Sequence, residues 1–205
     1  MPKSPYTFRG FRQFYLMKGM RSLALAAMAE PVESARSGDL PAFELLMRQY
    51  ERLVLVTALR LTGNLSDAQD VSQEVFLKLY RNLGKLASDD AVASWLYRVT
   101  VNACHDLRRR RRPEEPIEQE GQLTSGATDP HQAVAESERS RALQLSLRML
   151  SEKERTALVL RDLEGLSTEE VAHALGCTEA TVRSQICKAR VKVKGFVERY
   201  FGRRL

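Results

Sequence analysis

Apolar residues recur at three- and four-residue spacing along most of the chain, and no stretch shows the strict alternation of a half-buried strand. An all-α fold is therefore expected. Over about residues 40–62 the stripe is Phe43, Leu46, Tyr50, Leu53, Val54 and Leu61. Over about residues 67–83 it is Val71, Val75, Phe76, Leu79 and Leu83. A third helix is expected from about Asp90 into an arginine run, with Val92, Leu96, Val99, Ala103 and Leu107 inward. Further along, Leu143, Leu147 and Leu150 mark one helix face, and a helix over about residues 152–163 stops at Gly165. Three Ser-x-x-Glu/Gln patterns predict capped helix starts: Ser66 with Gln69, Ser151 with Glu154, and Ser167 with Glu170.

Residues 168–187 carry the most specific pattern. Val171, Ala172 and Leu175 point inward from a short helix, and Gly176 supplies a turn residue that accepts the left-handed conformation. Thr178 can cap the next helix, whose inward stripe is Val182, Ile186, Ala189 and Val193. A small alanine, a glycine four residues later and a valine six beyond it make the spacing of a helix-turn-helix. Ala180, Thr181, Arg183, Ser184, Cys187 and Lys188 then face outward, a set suited to base edges and phosphates in a major groove.

Composition divides the chain. Residues 113–130 hold three prolines, two glycines and the acids Glu114, Glu115, Glu118, Glu120 and Asp129, with little to bury. They read as a flexible, disordered acidic linker between two small helical domains, 34–112 and 131–205. Residues 1–33 read as an N-terminal extension, flexible or weakly helical, that only loosely imitates a signal peptide. No run reaches transmembrane length, so no membrane insertion is expected.

The net charge is +6 and is unevenly placed. Eight basic residues (Arg183, Lys188, Arg190, Lys192, Lys194, Arg199, Arg203 and Arg204) follow Glu179, and an unbroken arginine run fills positions 108–112. Two separated cationic sites suit a polyanion bound at two points. The three cysteines, Cys104, Cys177 and Cys187, form no CxxC pair, so neither a disulfide framework nor a zinc site is expected. No cofactor or metal is expected. Asp67, Asp70, Asp89 and Asp90 sit at helix starts, where acids complement the dipole, and no nucleotide-binding glycine loop is present. A nuclease or other enzyme acting on nucleic acid is thereby disfavoured.

Two surfaces of the first domain complete the reading. Asp70, Gln73, Glu74, Leu77 and Arg81 form an outward acidic-polar face with an apolar residue in it. On periodicity alone a protein-docking face and a solvated face fit equally. Arg98, Asn102, His105 and Arg109 form a polar stripe beside Trp95 and Tyr97. Such a stripe can follow a nucleic-acid backbone and take up an unstacked base, although a core role for Trp95 fits better than stacking.

The segments "DAQDVSQEVFLKLYRNL", "ASWLYRVTVNACHDLRRRRR" and "LSEKERTALVLRDLEGLSTEEVAHALGCTEATVRSQICKARVKVK", in that order, resemble a bacterial sigma factor of the extracytoplasmic-function group. The resemblance implies that Asp70, Gln73, Glu74 and Leu77 grip the clamp coiled coil of core RNA polymerase. It implies minus-ten recognition and melting by Arg98, Asn102, His105 and Arg109 and by the loop 84–89, with Lys85 and Arg108 on the DNA backbone. It assigns the minus-thirty-five element to Ala180, Thr181, Arg183, Ser184 and Lys188. An anti-sigma partner, a cytoplasmic location and a linker threaded through polymerase toward the RNA exit path also follow from it. The alternative is a stand-alone helix-turn-helix regulator, which explains the second domain but not the first.

Overall fold

A computed structural model of the chain describes residues 30–86, 89–110 and 130–202. All regular elements among these are helical: α1 (Glu30–Arg36), α2 (Leu40–Thr62), α3 (Leu65–Asn82), a 3-10 turn (Leu83–Lys85), α4 (Asp89–Arg110), α5 (Pro130–Arg148), α6 (Glu152–Leu158) continued by a π-helical turn (Val159–Leu163), α7 (Thr168–Leu175) and α8 (Glu179–Gly202).

In the N-terminal half, α2, α3 and α4 pack mutually as a three-helix unit. Leu46, Val54, Val71, Val75, Leu79, Val92, Leu96 and Val101 are essentially sealed from solvent between them. These are the stripes expected from periodicity, apart from Val101; Leu53, Val99 and Leu107 are only partly covered. Asp39 caps α2, accepting from the Ala42 N–H, and Gly63 ends it at φ +74°, a conformation that penalises any residue with a Cβ.

Two expectations need correction here. Helix α3 is capped by Asn64, whose Oδ1 accepts the Ser66 and Asp67 N–H groups at 2.8 and 3.3 Å. Ser66 therefore lies inside the first turn, because an asparagine two residues earlier reaches the same orphan donors. The first domain also begins before residue 34. Helix α1 packs on α2 and buries Val32 and Ala35, so residues 30–33 belong to the folded unit. Residues 1–29, the linker over 111–129 and the basic tail 203–205 lie outside the described residues.

In the C-terminal half, α5, α6 and α7 all pack against α8. Both remaining capping boxes form. The Ser151 Oγ accepts the Glu154 N–H and Glu154 accepts the Ser151 N–H, with the same reciprocal pair at Ser167 and Glu170. The helix expected over 152–163 does not stay α-helical. Its last turn widens, with the Glu164 N–H donating to the Val159 carbonyl five residues back. Asp162, in that wide turn, is buried facing α8.

The two halves pack together. Helix α4 lies against α7, and α2 lies against α5 and the π turn. Arg155, 4% exposed, is the hub of this junction. Its guanidinium donates to the carbonyls of Leu147, Arg148 and Leu150 in its own half and of Leu61 in the other, at 2.7, 3.2, 3.4 and 3.0 Å. The charge thus sits on the carboxyl ends of α5 and α2 at once, where the helix dipole favours a cation. Burial pushes its pKa down to about 10, so it stays protonated at neutral pH.

Candidate nucleic-acid interface

The turn between α7 and α8 is built as the sequence requires. Gly176 takes φ +61° and ψ 38°, and the Cys177 N–H returns to the Ala172 carbonyl at 3.0 Å. Open space surrounds the position where a Cβ would stand, so the need for glycine there is conformational rather than steric. The Thr178 hydroxyl oxygen accepts the Thr181 N–H at 3.3 Å and starts α8. Val182, Ile186, Ala189, Val193 and Val197 are buried against α6 and α7. With that stripe fixed inward, Ala180, Thr181, Arg183, Ser184, Cys187 and Lys188 are all exposed on one side.

Two ion pairs hold α8 onto the rest of its half. Arg190 donates through Nε and Nη2 to both oxygens of Asp162, at 2.8 and 2.6 Å. Lys192 Nζ lies 2.8 Å from both oxygens of Glu154. These bonds hold the Arg190 pKa above its ordinary value and the Glu154 carboxyl below the usual range. Two cations of the basic run therefore serve the fold, and Glu154 does more than cap α6. Neither partner was readable from periodicity, because 28 and 38 residues separate them from their cations. Arg183 pairs with Glu179 one turn earlier, an exposed contact that DNA can displace cheaply.

On α4, Arg98, Asn102, Arg108 and Arg109 are exposed, and Lys85 is exposed in the 3-10 turn. The expected stripe is therefore mostly exposed, although Arg109 pairs with Asp106 on its own helix and one residue departs from it. His105 is half-covered by α6, with Nε2 at 3.2 Å from both the Thr156 Oγ1 and the Glu152 carboxylate. The Thr156 hydroxyl donates to the Glu152 carbonyl at 2.8 Å, so its oxygen accepts from His105 and the ring carries its proton on Nε2. Burial lowers the His105 pKa from its ordinary value, against the opposing pull of Glu152. Asn102, His105, Asp106, Arg109 and Glu152 line a cleft of about 370 Å³ between the halves. Trp95 and Tyr97 pack partly buried against the core. Arg111, Arg112 and residues 87–88 of the expected loop lie outside the described residues.

The acidic-polar face of α3 is open. Asp70, Gln73 and Arg81 are exposed, Leu77 is 59% exposed, and half-covered Glu74 takes Lys78 Nζ at 2.6 Å. Tyr80, three residues beyond Leu77, is 54% exposed and meets Phe43 edge-on. It extends the apolar part of this face and was missed because a tyrosine between Leu79 and Arg81 fits a core stripe equally well.

Among the described residues, no group of three or more His, Cys, Asp or Glu side chains is arranged to hold a metal, and no helix is long and apolar enough to cross a membrane. Cys104 is buried, which pushes its thiol up to about 12, and all three cysteines are free.

Comparison with known proteins agrees with this geometry. The family described as Sigma-70 region 2 matches residues 46–114, and Sigma-70, region 4 matches residues 140–193. The chain is 36% identical to the RNA polymerase sigma-H factor of Pseudomonas aeruginosa over 78% of its length and 88% of that protein. It is 34% identical to the ECF RNA polymerase sigma-E factor of Escherichia coli K12, over 82% of its length and 92% of the relative. Among solved structures, CnrH in complex with the cytosolic domain of CnrY aligns with a TM-score of 0.61 at 27% identity, covering 82% of this chain and 95% of that one. The sigma factor RpoE of Bartonella quintana, in complex with the anti-sigma factor NepR, has the same fold, with a TM-score of 0.61 at 19% identity over 76% of this chain and 96% of that one. The chain belongs to the extracytoplasmic-function group of RNA polymerase sigma factors, the initiation subunits that bind core polymerase and direct it to promoter DNA.

Proposed function

We propose that the three exposed surfaces divide the work of initiation among themselves. The α3 face, with Asp70, Gln73, Glu74, Leu77 and the adjoining Tyr80, docks on the clamp coiled coil of core polymerase. On α4 and the turn before it, Lys85, Arg98, Asn102, His105, Arg108 and Arg109 take the minus-ten element and its melted bases. Ala180, Thr181, Arg183, Ser184 and Lys188 on α8 read the minus-thirty-five element from the major groove. Residues 113–130 join the units, the first taken from Glu30 to about residue 112 and the second from about residue 131 onward.

The observation that supports this best is the coexistence of two outward polar sets, each carried on a buried stripe of its own helix. A stand-alone regulator has use for α8 but not for α4 or the α3 face. The protein contributes no chemistry of its own: captured bases offset the cost of unstacking, and polymerase supplies the active site. It works in the cytoplasm, where polymerase is. An anti-sigma partner fits as well, since the Bartonella relative of this fold is held by one.

Charge reversal tests the docking surface. Asp70→Lys with Glu74→Lys is expected to abolish binding to core polymerase while leaving the far-UV circular dichroism and the urea midpoint unchanged. Undiminished core affinity in that variant overturns the assignment of α3.

A further inference from the structure

One strongly charged stretch of the chain has no part in the three surfaces. Residues 1–29 hold Lys3, Arg9, Arg12, Lys18 and Arg21 and no Asp or Glu, a net +5 against +6 for the whole chain. Most of the chain's net attraction for a polyanion is therefore placed in them. Tyr6, Phe8, Phe11, Phe14 and Tyr15 lie among these cations. Cations that track phosphates and aromatics that accept bases are the two parts a single-strand-binding sequence needs. The match to Sigma-70 region 2 begins at residue 46, so these residues lie outside it.

The structure fixes where this segment joins the fold. Helix α1 starts at Glu30 and packs on α2 and on the 3-10 turn Leu83–Lys85. At its end, Arg36 donates through Nη2 to the Leu86 carbonyl, directly after that turn. Seven helical residues span about 10 Å, so the root of the segment is held near the turn that leads into α4. Arg81 and Lys85, both exposed, flank the same turn. Two other occupants fit the segment less well. At helical spacing Phe8, Phe11 and Tyr15 share a side with Arg12 and Lys18, so the separate apolar face of a membrane-surface helix is missing. The exposed apolar pair Leu77 and Tyr80 on α3 is followed by Arg81 and Lys85, which repel a cationic segment.

We propose that residues 1–29 are a further nucleic-acid-binding segment, which holds the melted promoter strand next to the minus-ten element: its cations follow the phosphates, its aromatics stack on the bases, and α1 aims it there from the turn before α4. The location rests on the assignment of α4 to the minus-ten element. Stacking and phosphate contact accept any base, so the segment adds affinity for opened DNA without adding sequence preference. Base choice at the minus-ten element stays with α4.

The test uses holoenzymes assembled from core polymerase and the full chain, as wild type, as Arg9→Gln with Arg12→Gln and Lys18→Gln, or as Phe8→Ala with Phe11→Ala and Phe14→Ala. The probe is a promoter recovered by transcript selection with the wild-type holoenzyme, unpaired over its minus-ten element, and its affinity is measured across a salt series. Loss of three cations is expected to reduce the slope of log affinity against log salt by about 2, at about 0.7 per phosphate of a single strand. Loss of three aromatics is expected to weaken binding on the order of tenfold with the slope unchanged. Core affinity and minus-ten base preference are expected to stay at the wild-type level in both. Affinity and slope unchanged in both variants overturn the proposal, and a changed slope without any loss in the aromatic variant overturns the stacking. A chain with p-benzoylphenylalanine in place of Phe11 decides the location: its photo-cross-links are expected on the promoter strand beside the minus-ten element. Cross-links to residues 113–129, to α3 or to distant promoter DNA overturn it. Loss of flotation with phosphatidylglycerol vesicles in the variants, at unchanged probe affinity, shows a membrane-binding segment instead. Failure of the α4 reading shows separately, as an unchanged minus-ten preference in the Arg98→Ala, Asn102→Ala variant.

Discussion

Replacing Arg155 by alanine removes one side chain that serves both halves. Its guanidinium supplies four backbone carbonyls, and three of those bonds are buried. Leu61 and Arg148 lie in last helical turns, where carbonyls have no intrahelical donor, and the Leu147 carbonyl keeps a second donor in the Leu150 N–H. A buried carbonyl left without a partner costs about 1–3 kcal/mol. Relief of a desolvated charge, seen in the pKa pushed down to about 10, offsets part of that loss. The net loss should be about 3–5 kcal/mol, a large share of the roughly 5–15 kcal/mol that holds a domain folded. Lysine keeps the charge but not the planar fork, so Arg155→Lys should lose about half as much. Urea titration read by far-UV circular dichroism and by the fluorescence of Trp95, the chain's one tryptophan, measures both losses. Because Leu61 belongs to the N-terminal half, the Trp95 transition should shift together with the dichroism. A loss below about 1 kcal/mol in the alanine variant, or a Trp95 transition that does not move, refutes the hub role.

Three further outcomes are expected. Asp162→Asn breaks the two-point lock on Arg190 and should cost about 1–3 kcal/mol, the range reflecting the part of Arg190 open to solvent; minus-thirty-five duplex affinity should fall with it, and an unchanged urea midpoint would show the lock to be idle. Closure should weaken in acid. His105 has a lowered pKa in the closed form, so that form binds its proton less readily. The contribution of His105 is complete above its ordinary value near 6.5 and is lost as pH falls through the lowered one. Thr156 and Glu152 face this ring from α6, and Asp106, Arg108 and Arg109 act on it from α4; scattering at pH 8 and pH 5.5 should show the larger radius in acid, and equal radii would contradict the linkage. Cys187 should react quickly with a maleimide while Cys104 waits for unfolding, since burial and a pKa near 12 cut its thiolate fraction roughly a thousandfold. Equal labelling rates in the native protein would contradict the burial.

What the sequence disclosed was mostly local. Apolar stripes such as Leu46–Tyr50–Val54 and Val182–Ile186–Ala189 follow from helical spacing, and the Ser151 and Ser167 boxes from three-residue reciprocity. The Gly176 turn was legible because few other residues accept its backbone angles. Asn64 displaced Ser66 as a cap because two candidates lay within reach of the same donors, and pattern alone does not rank them. The π turn, the Asp162–Arg190 lock and the Arg155 hub were illegible for another reason. Each depends on a partner fixed by tertiary packing, up to 94 residues distant for Arg155 and Leu61. The same limit applied to the site. Exposure of Arg98, Asn102 and Arg183 followed from knowing which face is buried, but the contact of His105 with α6 required knowing that the halves close on each other.

The division of promoter reading between α4 and α8 can be tested in one transcription experiment. Core polymerase is mixed with the wild-type protein, Arg98→Ala with Asn102→Ala, or Arg183→Ala, and given a promoter library randomised at both elements, and the transcripts are sequenced. The α4 variant should lose base preference at the minus-ten element alone. Arg183→Ala should relax one position of the minus-thirty-five element, by about 1–3 kcal/mol if it holds a base at two points. Preferences that change at both elements in either variant, or at neither, would contradict the account of two separate readers on one chain.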